Sequence, residues 1–358
     1  MKVCFYNVTA SFIPGGLETY CWEVARELVR KGHDVTIMAG DKGRARYPEV
    51  RLLVYPFRIE QSWPDLGTRF RRLMERLSFA RHSIAALVGG RYDAVIVNKP
   101  FDFPILWEAR RRGMASRTMF RSGGTDFFAG DRLFAGAIDI WASASQYNAS
   151  QVMARYGHPT EVIHNGVDTS RFTPAQARAS STFTLVSVGR LVGWKGHRIV
   201  IQALQGLPEA VRYVIVGEGT ERDALEALAR SIGLGDRVRF AGRVDHEALP
   251  ELLRQADVLA QPSIGEEAFG ISVVEGMACG LPALVSDQGG LPEIVEEERC
   301  GLRLRAGDVA AWRTAIQALA SDPARVRRMG EAARKRALTH FTWARNAARH
   351  EALLGGSG

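Results

Sequence analysis

Apolar runs and amphipathic stretches alternate along most of the chain. "KVCFYNV", residues 2–8, is contiguous and apolar, the pattern of a buried strand. "LETYCWEVARELVRKG" follows with apolar residues at helical spacing and Gly32 as its stop. "DVTIMAG", "VRLLVYPF", "YDAVIVNKP" and "IDIWASAS" continue the strand series up to residue 145. Strands alternating with helices predict a parallel sheet covered on both faces. The rhythm breaks at "EVIHNGVDTSRFTPAQARASSTF", where Asn165-Gly166 signals a turn and Pro174 blocks regular structure. It restarts with "TLVSVGR", "RYVIVGEG", "RVRFAGR", "ADVLAQPS" and "LPALVSD". The fold class expected is α/β, two doubly wound Rossmann-like domains facing a cleft. The boundary is placed at 165–182, giving domains 1–165 and 166–340 and a last helix over 341–354.

The length of 358 residues suits two such domains. No apolar run reaches the roughly eighteen residues of a membrane helix. "MKVCFYNVTA" turns polar at Asn7, unlike a signal peptide. The four cysteines, Cys4, Cys21, Cys279 and Cys300, form no C-x-x-C pair and read as reduced cytoplasmic thiols. Charge changes the picture more. Residues 1–164 carry 23 Lys+Arg against 16 Asp+Glu, or +7, whereas residues 165–358 carry 24 against 23, or +1. The first half is therefore expected to meet an anionic partner. A merely soluble basic face is the plain alternative.

Candidate chemistry clusters after the second set of strands. "GRLVGWKG" puts Arg190 and Lys195 just past a strand end. Two cations there suit a diphosphate, although position alone favours two solvated cations. "VGEGTERDAL" has Gly-x-Gly between strand and helix, but Arg222 occupies the third glycine's place, so a tight turn is the simpler reading. "IPGGLETY" offers Gly15-Gly16 at a helix start, where free N–H groups favour anions.

"GEEAFGISVVEGMACG" holds two carboxylates eight positions apart. With a helix starting at Gly270, Glu267 lies in the preceding loop and Glu275 one turn inside. The helix N-terminus between them can face phosphate oxygens, and carboxylates accept from sugar hydroxyls. This fits a nucleotide sugar. A glycosidase also uses two carboxylates, one of them protonating a poor leaving group. A nucleoside diphosphate needs cations more than a proton. No D-x-D occurs, so no obvious metal–diphosphate clasp is expected, and neither metal nor cofactor is expected.

At these residues the chain resembles the retaining glycosyltransferases of GT-B type in glycosyltransferase family four. The E-x7-E motif matches at Glu267 and Glu275. "HNGVDTSRF", "VGRLVGWKG" and "EGMACGLPALVSDQGGLPEIV" follow the family's order, most densely over 162–300. The resemblance implies a retaining, metal-independent transferase for a UDP- or GDP-sugar. Arg190 and Lys195 would hold the diphosphate, Glu275 the ribose and Glu267 the transferred sugar. Backbone at Phe269, Gly270 and Ile271 would meet sugar and phosphate, and Arg243-Val244 the base. Gly15-Gly16 would close over the reaction centre. Acceptors expected are sugars, lipid-linked species or small molecules of glycan biosynthesis. Rival readings are a sugar-nucleotide epimerase and a non-catalytic nucleotide-sugar-binding subunit.

One departure concerns "RSGGTDFF", where Gly123 stands in place of the family's His and Asp126 is kept. Asp126 is expected to bind an acceptor or sugar hydroxyl, with a cap of the following "FFAGD" turn as the alternative. "LGTRFRRLMERLSFARHSIAALV", residues 66–88, places Leu66, Phe70, Leu73, Leu77, Ile84 and Val88 on one helical stripe. Arg69, Arg71, Arg72, Arg76 and Arg81 lie mostly elsewhere on that helix. The expectation is core packing with a basic outer face able to meet an anionic membrane from the cytoplasmic side. Nucleic acid is not expected, because interleaved aromatics are sparse.

Overall fold

The computed structural model describes residues 1–13, 15–124, 126–175 and 182–355. Pro14 of "IPGGLETY", Thr125 of "RSGGTDFF", positions 176–181 of the boundary segment and the last three residues of "GGSG" lie outside that set. The chain divides into two compact units. One comprises Met1–Asn165 and Trp343–Gly358, the other Gly166–Thr342.

The first unit is built on a seven-stranded sheet. Its strands are β1 (Lys2–Tyr6), β2 (Asp34–Gly40), β3 (Arg51–Tyr55), β4 (Ala94–Val97), β5 (Arg117–Ser122), β6 (Ile140–Ser143) and β7 (Glu161–Val162). They run in the order β3-β2-β1-β4-β5-β6-β7, each pair parallel. The helix Gly16–Arg30 connects β1 to β2 and buries Tyr20, Cys21, Val24, Ala25 and Leu28. It ends at Lys31, and Gly32 continues with φ +86°, a backbone state that glycine adopts without strain. The helix Trp343–Gly355 belongs to this unit and packs on Gly16–Arg30, where Tyr20 Oη lies 2.6 Å from His350 Nε2.

The second unit carries a six-stranded parallel sheet. Its strands are β8 (Phe183–Val188), β9 (Val211–Val216), β10 (Val238–Gly242), β11 (Val258–Gln261), β12 (Ala283–Ser286) and β13 (Gly301–Leu304), in the order β10-β9-β8-β11-β12-β13. Its core includes Leu185, Val200, Ile215, Val258, Leu284 and Trp312, all fully buried. Both sheets reverse direction of growth at one point, between β1 and β4 in the first and between β8 and β11 in the second. Ligands of doubly wound sheets bind outside the strand carboxyl ends at that switch point.

The helix Thr68–Gly89 corrects the expected stripe. Its buried face is formed by Glu75, Arg76, Phe79, Ala80, Ser83, Ile84 and Leu87; of the expected stripe Ile84 is buried, Phe70, Leu73 and Val88 are half-buried, and Leu66 just before the helix and Leu77 within it are exposed. Arg76 is buried because Asp102 is buried with it, the guanidinium 3.5 Å from the carboxylate. A buried counter-charge has overridden the hydrophobic count.

Candidate active site

The loops after β8, β11 and β12 meet at the second unit's switch point through their backbones. The carbonyl of Trp194 accepts from the N–H groups of Ile264 and Gly265 at 2.8 and 3.1 Å. The carbonyl of Glu267 accepts from Gly290 at 2.7 Å. Such approach requires glycine: a Cβ at Gly196 would lie 2.0 Å from Pro262 O, and one at Gly289 would lie 2.3 Å from Glu267 O. The two glycines of "VGEG" serve the same purpose. Cβ atoms there would meet the carbonyls of Gly189 and Leu191 at 1.9 and 2.2 Å, so this motif packs loop on loop.

On this scaffold Lys195 Nζ donates to Glu267 Oε2 at 2.6 Å, with both side chains largely buried. The same ammonium lies 4.7 Å from the centre of the Trp194 ring. Lys195 is therefore not a solvated surface cation. Arg190 is exposed, and its side chain forms no ion pair among the described residues. The helix Ile271–Ala278 begins after Gly270, whose φ is +117°. Phe269 is buried and packs edge-on against Phe341, ring centres 5.8 Å apart. Glu275 is 5% exposed. Its Oε1 lies 2.6 Å from His246 Nε2, and His246 Nδ1 lies 2.9 Å from Arg171 Nη2. Arg243 and Val244 follow β10, Arg243 exposed and Val244 half-buried.

The first unit's switch point is furnished differently. Gly15 precedes the helix Gly16–Arg30 with extended backbone and no side-chain cap, and Gly16 is exposed. Glu18, in that helix's first turn, accepts from Thr9 Oγ1 at 2.6 Å, and burial pushes its carboxyl up. Past β4 and β5, Asp126 accepts from Arg72 at 2.5 and 2.7 Å and from Lys99 at 3.1 Å. Burial raises the Asp126 carboxyl, but Lys99 and Arg72 together outweigh it, and the net shift is downward. Behind this group Asp102 is pushed up to about 6 by burial, against the pull of Arg76 and Lys99. The "FFAGD" turn is closed by Asp131, which accepts from Phe128 N at 3.1 Å and from Tyr156 Oη at 2.8 Å. Asp126 is thus not the cap of that turn. Beside Gly123, Arg121 Nη1 and Leu17 lie 3.5 and 3.6 Å from where a Cβ would stand, whereas the space beside Gly124 is open.

Residues 168–336 match the family model "Glycosyl transferases group 1", and residues 14–171 match "Glycosyltransferase Family 4". The chain is 30% identical to the GDP-mannose-dependent alpha-(1-6)-phosphatidylinositol monomannoside mannosyltransferase of Mycolicibacterium smegmatis, over 98% of this chain and 97% of that one. The chain belongs to glycosyltransferase family 4. A D-inositol 3-phosphate glycosyltransferase of Xylanimonas cellulosilytica is 28% identical over 92% of this chain and 88% of its own. Among solved structures, the Anabaena protein HepE in complex with UDP and glucose superposes with a TM-score of 0.82 at 21% identity, covering 100% of both chains. Sucrose-phosphate synthase of Thermosynechococcus elongatus gives 0.84 at 22%, covering 98% of each. These two carry the fold, a GT-B pair of Rossmann-like domains.

As a family 4 glycosyltransferase, the chain is an enzyme that uses a nucleotide-sugar donor. Of the residues expected from its sequence, Lys195, Glu267, Phe269, Gly270 and Ile271 gather at one switch point, with Glu275 one turn inside the helix. Gly15, Gly16 and Asp126 belong to the other unit. Sequence reasoning missed His246 and Arg171, as well as Arg72 and Lys99 as partners of Asp126. His246 carried one weak signal, its place four residues past the end of β10. Arg171 had a second, standing inside the "HNGVDTSRF" segment. The partners of Asp126 had none, since Arg72 is 54 positions away. Among the described residues no group of three or more His, Cys, Asp or Glu is placed to hold a metal, and no helix is long and apolar enough to cross a membrane.

Proposed function

We propose that this enzyme is a retaining, metal-independent hexosyltransferase that moves a sugar from a UDP- or GDP-sugar to a sugar, lipid-linked or small-molecule acceptor of glycan biosynthesis. The observation that carries the reading is the contact of Lys195 with Glu267 at the mouth of the loops before the helix Ile271–Ala278. A cation and a carboxylate in contact, next to free helix N–H groups, suit a diphosphate and the hydroxyls of the sugar it bears. In the bound state Lys195 and Arg190 hold the diphosphate, and Glu267 turns to the transferred sugar. Glu275 takes the ribose, Arg243 and Val244 lie along the base, and the backbone of 269–271 meets sugar and phosphate. Gly15 and Gly16 cover the reaction centre, while Asp126 meets a hydroxyl of acceptor or sugar. As the bond to the diphosphate breaks, its oxygen accepts the acceptor's proton on the same face, and the two cations stabilise the charge that develops.

The names of the relatives guide the choice of substrates. GDP-mannose is the first donor to try, with inositol phosphates and phosphatidylinositol mannosides as first acceptors. A cytoplasmic location, with a peripheral position at an anionic membrane, accords with four buried free thiols and a basic first half. The test is acceptor-dependent release of nucleoside diphosphate, with the product's anomeric configuration read by NMR and turnover repeated in EDTA. An inverted product removes retention. Loss of turnover in EDTA, restored by a divalent cation, removes metal independence. Isomerised donor without acceptor would mark an epimerase instead.

A further inference from the structure

The segment 168–172, part of the motif at the start of the second unit, has no role in the scheme above. Its geometry gives it one. Asp168 Oδ1 accepts from the backbone N–H groups of Ser170 and Arg171 at 3.1 and 3.2 Å, and from Ser170 Oγ at 2.6 Å. This turn fixes where Arg171 and Phe172 leave the backbone. Phe172 is fully buried and lies against the His246 ring, with centres 5.4 Å apart. Arg171 Nη2 stands 2.9 Å from His246 Nδ1, and His246 Nε2 stands 2.6 Å from Glu275 Oε1.

The direction of these hydrogen bonds follows from the groups. A guanidinium has donors and no acceptor. Nδ1 must therefore accept from Arg171, which leaves the imidazole proton on Nε2. That proton is donated to Glu275. We infer that 168–172 acts through His246 as a relay that fixes the Glu275 carboxylate, making His246 and Arg171 positioning residues for recognition of the donor's ribose. The inference rests on the reading of Glu275 as the ribose ligand.

With Oε1 occupied by His246, Glu275 presents Oε2 and the second lone pair of Oε1 to the ribose in one orientation. Without the relay the carboxylate keeps its charge and its place in the helix but can rotate about its last torsion. A hydrogen bond to a charged group made in one fixed orientation favours the hydroxyl-bearing ligand over the ligand lacking it, since the latter leaves the carboxylate unpaired. The relay therefore acts on the preference for ribose and leaves the diphosphate contacts of Lys195 untouched.

The experiment compares binding of a nucleoside diphosphate, the best bound of UDP, GDP and ADP, with its 2′,3′-dideoxy counterpart. Calorimetry is run on the full chain for wild type, His246→Ala, His246→Gln, Arg171→Met and Glu275→Ala. Wild type is expected to prefer the ribonucleotide, and His246→Ala to lose roughly ten-fold of that preference with dideoxy affinity unchanged. His246→Gln, whose amide N–H can replace Nε2–H, should recover part of it. Long-range 1H–15N spectra, with the His246 signals identified by their loss in His246→Gln, should show the proton on Nε2. In Arg171→Met it should redistribute toward Nδ1. If His246→Ala keeps the full ribose preference while Glu275→Ala loses it, the relay is overturned and the ribose reading stands. If Glu275→Ala keeps the preference too, both fall. An Nδ1–H tautomer in wild type would overturn the relay by itself.

Discussion

The two units have the same switch-point topology and both pack glycine backbone into its loops, Gly43 against Ser11 in the first, but they differ in the side chains that enter. In Gly166–Thr342 the loops after β8, β11 and β12 are held by backbone hydrogen bonds and by glycines with no room for a Cβ. The carboxylates there are held, Glu267 by Lys195 and Glu275 by the His246 imidazole, while Arg190 stays exposed. In the first unit the corresponding region is filled by long charged side chains, with Asp126 held between Arg72 and Lys99, and Arg76 paired with Asp102. On the reading proposed above, loops held by their backbones suit the parts that nucleotide-sugar donors share, the diphosphate and the ribose. A network of long side chains can be rewired by single substitutions without disturbing the sheet. That difference directs the search for donor contacts to the second unit and for specificity to the first.

The comparison breaks most readily at Lys195. Lys195→Ala should lower turnover by roughly 100-fold or more at saturating donor, the scale of a preorganised electrostatic group. Arg190→Ala, removing an exposed cation, should lower it less. Near-normal kcat in both would mean that the second unit's charges are scaffolding only. Glu275→Ala should weaken nucleoside diphosphate binding by about 1.5–3 kcal/mol, read by calorimetry. Unchanged affinity there would leave the rigid site without its ribose ligand.

Acid tests whether the two units are alike in their interiors. Burial pushes His350 of the first unit down to about 3 and His197 of the second down to about 4. Both folded values lie below the ordinary 6.5, so the unfolded chain takes up these protons first. Stability is full above pH 6.5 and falls as pH drops, until pH reaches each folded value. The slope contributed by each histidine approaches about 1.4 kcal/mol per pH unit. The raised carboxyl of Asp102 opposes this fall equally in every variant, so the test is the difference: between pH 7 and 4, urea midpoints should fall less in His350→Gln and in His197→Gln than in wild type. Equal pH slopes in wild type and both variants would refute the assignment.

Smaller effects sharpen the first unit's side of the comparison. Asp126→Asn should impair turnover while changing stability by under about 1 kcal/mol, because its ion pairs are partly exposed. A lowered melting temperature with normal turnover would make the network structural. The weakest effect concerns membranes. With Arg72 and Arg76 engaged by carboxylates, Arg69 and Arg81 remain exposed on the helix Thr68–Gly89. Each contributes about 1 kcal/mol near an anionic surface, screened by salt. Flotation with anionic vesicles should therefore be slight, and lost at high salt. Equal flotation with neutral vesicles would end the electrostatic argument.

The sequence by itself determined the strand series, the alternation with helices and the break after Asn165. These are local signals, periods of two and 3.6 residues punctuated by glycine and proline, and they survive folding unchanged. It also showed the glycines and both glutamates of "GEEAFGISVVEGMACG", because a loop and the helix after it are contiguous in the chain. Tertiary structure alone decided the pairings. His246 reaches Glu275 across 29 positions, Lys195 reaches Glu267 across 72, and Arg72 reaches Asp126 across 54. It also decided that Arg76 turns inward while Leu77 stays out. Coulombic attraction acts through space between residues that the chain order keeps apart, and a hydrophobic period does not register a counter-charge waiting in the core.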